Sequence, residues 1–581
     1  MNKPVCTLLG QLSKNFFLHF FLLAISVLCV YGHTLNAPFY LDDYPSIVDN
    51  LIIHQLNIKN IWIYAPFRCV TYISFALNYF VHQLDFFGYH LVNIFIHFFV
   101  GCGIYYFISV LIRIPKINAS ISKEIQDWLP FLSALIFVIH PLHTQAVTYI
   151  VQRLSSLAAL FYIFSIAFYI HARLGHNSYF KKYILFSNAM LFAVLALFTK
   201  ENTVTLMLII PCIELAFYQK STSSRLMIMG SILITISAFW MLYASIRNIN
   251  PFSLIDLNVF TRLGTDILRT TYFFTQLKII WIYIRLFFVP IGLHLDYDIS
   301  PAIADWSFFL AFICHILVIA CAFYMRRTKP IIFLSVLFYY ISHLIESSIF
   351  PIKDLCFEHR AYLPDIGLSL LCSYIIMDII VKCHKIVFRY TLIGMLTVLL
   401  LVSGLMTWHR NHVWNNPISL WRDCSVYSPH KTRVWAELGK HLMIAEQNNE
   451  AIAVLNKVLK HSVDSSGHLK LNVQVICNLI ILHHKKGDSE KAIYLANQIL
   501  QYPINDLYRF YILNNKGNIY LEKKDFAQAE TSYRQAISCY PNHEMAISGL
   551  YHALLLQEKI EEAHQLISSY PHLLINKKKK K

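Results

Sequence analysis

The sequence predicts an all-α protein in two parts, a polytopic membrane domain followed by a helical-repeat solenoid. Three observations lead there. The 581 residues are 56% hydrophobic and only 14% charged, with a mean hydropathy of +0.50, whereas a soluble chain carries about a quarter charged residues. The deficit lies almost wholly before residue 410, where apolar runs recur at about the twenty residues that a helix needs to cross a bilayer. After that point the text turns polar and helix-forming, and a pattern of small and aromatic residues repeats. The boundaries that follow are a membrane domain over 1–410, a linker over 411–430, a repeat domain over 431–575 and a basic tail over 576–581.

Eleven spans are expected, near 15–33, 88–113, 129–146, 154–172, 182–199, 202–219, 225–245, 306–325, 331–349, 365–382 and 388–408. The first is expected to stay in place as an uncleaved anchor, because no small-x-small cleavage site precedes Asp42. Loop charge fixes the threading. Arg173, Lys181 and Lys182 form one basic loop, Lys220 and Arg225 a second, Arg326, Arg327 and Lys329 a third, and Lys382, Lys385 and Arg389 a fourth. With the N-terminus in the cytoplasm all four fall inside, as basic loops should. The run 272–290 is apolar but carries Lys278 and Arg285, and a single crossing there would turn Arg326–Lys329 outward; it is read as interfacial or re-entrant. The stretch 69–82 is read as a short helix on the outer surface. The repeat domain then lies outside the cytoplasm, in the periplasm of a bacterium or the endoplasmic reticulum lumen of a eukaryote. The net charge of +16 is explained by these loops; no basic helix or aromatic-basic groove points to nucleic acid. The thirteen cysteines contain no C-x-x-C pair, which argues against a dithiol motif or a zinc site. Cys69, Cys356, Cys424, Cys477 and Cys539 lie where a disulfide could form.

This threading gathers the unusual polar residues on one face. Asp42, Asp43, Arg68, His140, His143, Arg153, Lys200, Glu201, Asp296, Asp298, Glu358, His359 and Arg360 all fall on or near the outer side, and ionisable residues beside spans are functional candidates by default. Asp42 and Asp43 follow the first span. They could be a turn before Pro45, a general base for a hydroxyl nucleophile, or ligands of a divalent cation such as Mg or Mn. In H-P-L-H, His140 and His143 have a spacing that a metal could use, while Pro141 suggests a turn at a span end. Gln145, Thr148 and Gln152 share a helical face, and Arg153 opens the next span, either as an anion site or snorkelling to headgroups. Lys200 and Glu201, in T-K-E-N, could simply pair with each other. F-E-H-R, Phe357 to Arg360, could be an exposed turn with a local ion pair. L-D-Y-D, Leu295 to Asp298, is a weaker signal. The many Tyr, Trp and Phe of these loops form an aromatic belt, with some placed to stack on a sugar.

From Thr432 onward the tetratricopeptide pattern emerges. Trp435, Leu438, Gly439 and Ala451 make a first block. Asn478, Leu479 and Ala492 follow; then Gly517, Tyr520, Ala529, Tyr533, Ala536 and Pro541; then Gly549, Leu550 and Ala563. The alanines 451, 492, 529 and 563 are spaced by 41, 37 and 34 residues, so three or four helix pairs are expected, stacked to hide their apolar faces and presenting a groove that suits a peptide segment.

The segments L-D-D-Y, R-C-V-T-Y-I-S-F-A-L-N-Y with G-Y-H-L-V-N-I-F-I-H, H-P-L-H-T-Q-A-V, T-K-E-N, L-D-Y-D and F-E-H-R-A-Y-L-P occur in this order. Their order, with the repeats behind them, resembles the transmembrane and tetratricopeptide repeat-containing O-mannosyltransferases and their bacterial relatives, a family with the GT-C glycosyltransferase fold. The resemblance covers nearly the whole chain. It implies an inverting enzyme that moves a sugar, mannose among the candidates, from a polyprenyl-phosphate carrier to a Ser or Thr hydroxyl of a protein recruited by the repeats. It places the catalytic carboxylate on Asp42 or Asp43. Arg68, Arg153, Lys200, His359 and Arg360 are then expected to hold the donor phosphate. Where Gln145 and Ser155 stand the family often has acidic residues, and both are neutral here. Two rivals remain at this stage: a GT-C transferase acting on a lipid or surface glycan, and a non-catalytic membrane scaffold that binds partners through its repeats.

Overall fold

A computed structural model of the chain describes residues 15–175, 178–218, 267–301, 306–348, 351–461, 473–541 and 543–570, together with 241 and 245. The expected span at 225–245, apart from Met241 and Ser245, the Lys220–Arg225 loop and the basic tail lie outside the described residues. Helices are the only regular structure among those described, and the chain divides into two compact units, 1–420 and 421–581.

In the first unit seven helices are long and apolar enough to cross a membrane: Phe16–Tyr31 with its short extension to Thr34, Phe86–Leu111, Ile150–Arg173, Tyr179–Leu197, Glu201–Tyr218, Trp306–Met325 and Ile386–Val413. An eighth is broken: Lys123–Val138 and Pro141–Thr148 meet at a 53° bend. The two other expected spans are also helices, but one is short, at Pro330–His343, and the other, Asp365–Lys382, carries three charged side chains. Starts are capped by short polar side chains that accept an otherwise unsatisfied N–H: Ser122 from Ile125, Asp85 from Phe87, Ser178 from Lys181.

Burial grades across this unit. The helices 86–111 and 150–173 are about two-thirds buried along their apolar windows, whereas 179–197 and 306–325 are mostly exposed and the window of 386–413 has no buried residue. The exposed ones form the lipid-facing rim. The interior approaches are close: a Cβ on Gly367 would come within 2.6 Å of the Ser335 carbonyl, so the 365–382 and 330–343 helices touch there backbone to backbone.

The helix Arg269–Phe288 covers the run expected to be interfacial. Both its ends meet the same rim of the bundle: the Tyr272 hydroxyl donates to the Glu346 carbonyl at 2.7 Å, and the Phe287 carbonyl lies 2.8 Å from His140 Nε2. Cys69–His82 is likewise a helix beside this rim, its Val70 N–H bonded to the Phe198 carbonyl and its Thr71 hydroxyl to the Thr199 carbonyl.

The expected linker 411–430 holds the end of the 386–413 helix and a further helix, Pro417–Tyr427. The second unit stacks four helix pairs: Thr432–Ile444 with Asn448–His461, Val473–Lys485 with Ser489–Leu500, Asp506–Glu522 with Phe526–Cys539, and Glu544–Leu556 with Ile560–Ser568. Ala451, Ala492, Ala529 and Ala563 are all fully buried in them, as the spacing predicts. Each pair turns the same way. Glu446, Gly487, Lys524 and Glu558 have positive φ, and each stands five residues before its alanine. At each turn that residue's N–H bonds back three residues, and the next N–H bonds back five, as in Gln447 N–H to the Leu442 carbonyl and Asp525 N–H to the Tyr520 carbonyl. These are Schellman closures, which satisfy the last carbonyls of a helix. The cysteines described are free thiols.

Candidate active site

The two aspartates differ sharply. Asp43 is fully buried and uses both oxygens: Oδ2 accepts the Tyr40 N–H at 2.9 Å and Oδ1 the Val151 N–H at 2.7 Å. It pins the first rim loop to the start of the 150–173 segment. Burial pushes its carboxyl up to about 8, against the pull of those two N–H donors. Asp42 is exposed, and its backbone N–H donates to the Tyr149 hydroxyl at 2.8 Å. One residue builds the loop and the other stands on it.

Arg153, expected among the phosphate ligands, is wholly enclosed instead. Nε donates to Asn93 Oδ1 at 2.6 Å, Nη1 to the carbonyl and hydroxyl of Ser74 at 3.2 Å, and Nη2 to the Tyr89 carbonyl at 3.0 Å, while the Phe75 ring lies 4.7 Å from the guanidinium carbon. Five donors in a planar fork make this a natural tie for three segments, and it leaves the group turned inward. Arg360 is similarly spent on the carbonyls of Leu355 and Asp354, at 3.0 and 2.6 Å.

The H-P-L-H segment satisfies the broken helix. The bend frees carbonyls that nothing in lipid could bond. His143 Nδ1 takes the Phe137 carbonyl at 2.8 Å, His97 Nε2 takes that of Val138 at 3.0 Å, and the Thr407 hydroxyl takes that of Ile139. The other His143 nitrogen lies 3.2 Å from Asp365. His140 accepts the Leu142 N–H on Nδ1 and reaches the Phe287 carbonyl with Nε2. Both imidazoles are occupied by protein groups, which corrects the metal reading of this pair. No group of three His, Cys, Asp or Glu among the described residues is placed to hold a metal ion. At the acidic pair both Asp43 oxygens already accept N–H bonds in a buried position, which leaves the exposed Asp42 as the carboxylate a cation would reach.

Gln145 joins two loops. Its carbonyl accepts the His359 N–H at 2.8 Å and lies 3.1 Å from His359 Nδ1, and its amide donates to the Leu295 carbonyl at 3.3 Å. His359 is buried, and burial with the nearby Lys200 and Arg360 charges holds it well below its ordinary pKa. It is therefore neutral, contrary to the expectation of a cation. Glu358 accepts the Tyr297 hydroxyl at 2.8 Å; Asp296 is buried beside it in sequence and Asp298 exposed.

Lys200 and Glu201 do not pair with each other. Lys200 Nζ lies 2.7 Å from Glu346 Oε1 and 2.9 Å from the Ser155 hydroxyl, and Asn202 donates to the other Glu346 oxygen at 3.0 Å. Arg68 Nε lies 3.0 and 3.1 Å from the two Glu201 oxygens. This pair is about one-third to one-half exposed and lines a cleft of about 370 Å³ with Tyr64, Phe67 and Tyr72. A path of hydrogen bonds and adjacent residues runs from Asp43 to Lys200: Asp43 to Val151, then Gln152 to Ser155 at 3.3 Å, then Ser155 to Lys200. Glu346 and Tyr149 were missed by sequence reasoning, and Ser155 was noted only as a neutral residue where the family often has an acid. Of the two missed, Glu346 had a signal, being the one acidic residue between 341 and 350.

Fold and site together define a class: a multi-span helical membrane unit with an acidic and basic rim, followed by tetratricopeptide repeats. A tetratricopeptide repeat family model matches residues 510–543, the third helix pair. The chain is 26% identical over 448 residues to a protein O-mannosyl-transferase of Caenorhabditis elegans, covering 72% of this chain and 59% of that one. It is 21% identical over 597 residues to protein O-mannosyl-transferase TMTC3 of Homo sapiens, covering 92% and 62%, and 22% identical over 620 residues to its Mus musculus counterpart, covering 95% and 63%. The family resemblance carried by the motifs is supported by these matches. The chain spans about three-fifths of the length of the curated relatives it matches.

Proposed function

We propose that the chain is a membrane glycosyltransferase that moves a sugar, mannose by analogy with its relatives, from a polyprenyl-phosphate carrier to a Ser or Thr hydroxyl of a protein on the non-cytoplasmic side. The observation that carries this reading is the division of labour in the pair: an exposed Asp42 on a loop clamped by the buried Asp43. Asp42 takes the hydroxyl proton as the hydroxyl oxygen bonds to the anomeric carbon. The bond from that carbon to the phosphate oxygen breaks on the opposite face, with inversion, and the carrier phosphate leaves with the electron pair.

Of the five expected phosphate ligands, Arg68 is the best placed, since its guanidinium opens on the cleft. The donor phosphate would replace Glu201 there, one anion for another, and charge-assisted contacts to the growing negative charge would lower the barrier by several kcal/mol. Lys200 supports from behind, held by Glu346 and Ser155. Arg153 and Arg360 act by fixing the loops. No step is routed through a metal. The repeats would recruit the acceptor.

The test uses proteoliposomes with a polyprenyl-phosphate-linked mannose and a Ser/Thr-rich acceptor protein. Asp42→Asn should lower transfer by at least about a hundredfold, the usual weight of a general base, with the thermal unfolding curve unchanged. Full activity in that variant would remove Asp42 from the chemistry. Transfer to glycolipid in place of protein would favour a lipid-directed enzyme.

A further inference from the structure

The membrane unit closes a second cavity, of about 500 Å³, at the end of the bundle away from Asp42. Two helices measure the separation. Phe16 and Phe20 line the cavity, while the other end of their helix leads into the Asp42 loop; sixteen residues rise about 24 Å. Tyr89, near the start of Phe86–Leu111, meets Arg153, and Tyr105, Tyr106 and Ser109 near its end line the cavity. The cavity therefore opens at the opposite membrane surface from the candidate active site.

Its walls are aromatic and its mouth is polar and basic, with Arg113, Asn118, Lys123, Gln126 and Asp127. Lys123 pairs with Asp127 at 3.2 Å. Arg113 forms no ion pair among the described residues, so one positive charge remains in the mouth. The fields of Arg113 and Lys181 both fall on His171, whose Nδ1 lies 2.6 Å from the Tyr106 hydroxyl of the wall. Phe16, Phe17 and Phe21 of the flanking helix are half or more exposed, an apolar track leading away from the mouth. A cation at membrane-surface depth, an aromatic wall and an adjoining apolar track match the phosphate, glycerol and acyl parts of one molecule.

We propose that this cavity binds the headgroup of an anionic phospholipid from the leaflet opposite the candidate active site, with Arg113 on its phosphate. By the loop charges that leaflet is the cytoplasmic one. The site is separate from the proposed transfer and its test reads no transferase activity.

The full chain is reconstituted in phosphatidylcholine nanodiscs with and without phosphatidylglycerol, and the lipids retained on release are counted by native mass spectrometry. The wild type should retain phosphatidylglycerol over phosphatidylcholine. Arg113→Gln should weaken that retention about fivefold, the weight of one basic contact to an anionic lipid, and Arg113→Lys should keep most of it. Arg326→Gln, which changes an exposed basic residue elsewhere, should change nothing. Unchanged retention in Arg113→Gln, equal loss in Arg326→Gln, or no preference in the wild type would each overturn the proposal. Displacement of the retained lipid by millimolar inorganic phosphate would overturn it too, marking a soluble-anion site. Unfolding curves in pure phosphatidylcholine check that each variant is folded; if Arg113→Gln is not, loss of retention in a folded Arg113→Met decides in favour and its absence against.

Discussion

At the scale of single residues, the informative contrast is between adjacent side chains with opposite duties. Asp43 is committed to two backbone N–H groups and buried, whereas Asp42 is exposed. Asp43→Asn turns an amide N–H toward one of those donors, which should cost about 1–3 kcal/mol, read as a lower unfolding midpoint. Asp43 also imposes a pH dependence. Its carboxyl titrates near 3.8 when unfolded and about 8 when folded, so between those values the folded state holds the extra proton. Stability should therefore fall as pH rises from about 4 to about 8 and level off above. Melting curves across that range test it, and the slope should flatten in Asp43→Asn. Which aspartate was which could not be read from the sequence, because exposure at neighbouring positions is decided by Val151 and Tyr149, more than a hundred residues away. Arg153 was ambiguous for the same reason: its partners Asn93, Ser74 and Tyr89 lie 60 to 79 residues off.

At the scale of elements, the helices were largely legible and their interruptions were not. Apolar runs mark spans because length and composition suffice, and Pro141 marks a turn. His143 of the motif takes one freed carbonyl, but the other two are taken by His97 and Thr407, which no local pattern links to the break. In the repeats the packing alanines follow from periodicity, whereas three of the four left-handed turn residues are Glu446, Lys524 and Glu558, which carry no turn signature; only Gly487 does. That glycine should matter most. Gly487→Ala puts a Cβ at φ +88° and should destabilise the second helix pair by about 1 kcal/mol, measured as a lower midpoint in urea followed by circular dichroism. Lys524→Gly, at a matching turn, should cost little or slightly stabilise.

At the scale of the whole molecule, the gradient from exposed rim helices to buried interior ones bears on how the chain enters the bilayer. Ile386–Val413 and Trp306–Met325 face outward and are apolar. Asp365–Lys382 carries Asp365 at its first position, Asp378 about one turn from its end and Lys382 at its last, and more than half of its residues are buried, so it owes its place to neighbours. During synthesis the rim segments can partition into lipid one by one, while the interior segment must be held until its partners arrive. Fused singly to a glycosylation reporter in microsomes, 306–325 and 386–413 should insert fully and 365–382 poorly; efficient insertion of 365–382 alone would show that no holding step is needed. Ile386–Val413, the last of the candidate spans, is also the least buried of them among the described residues, so the segment that completes insertion could release a nearly finished interior from the translocon. Substitutions that make 386–413 more polar would then trap the nascent chain, and lower its yield, without touching a residue of the rim site.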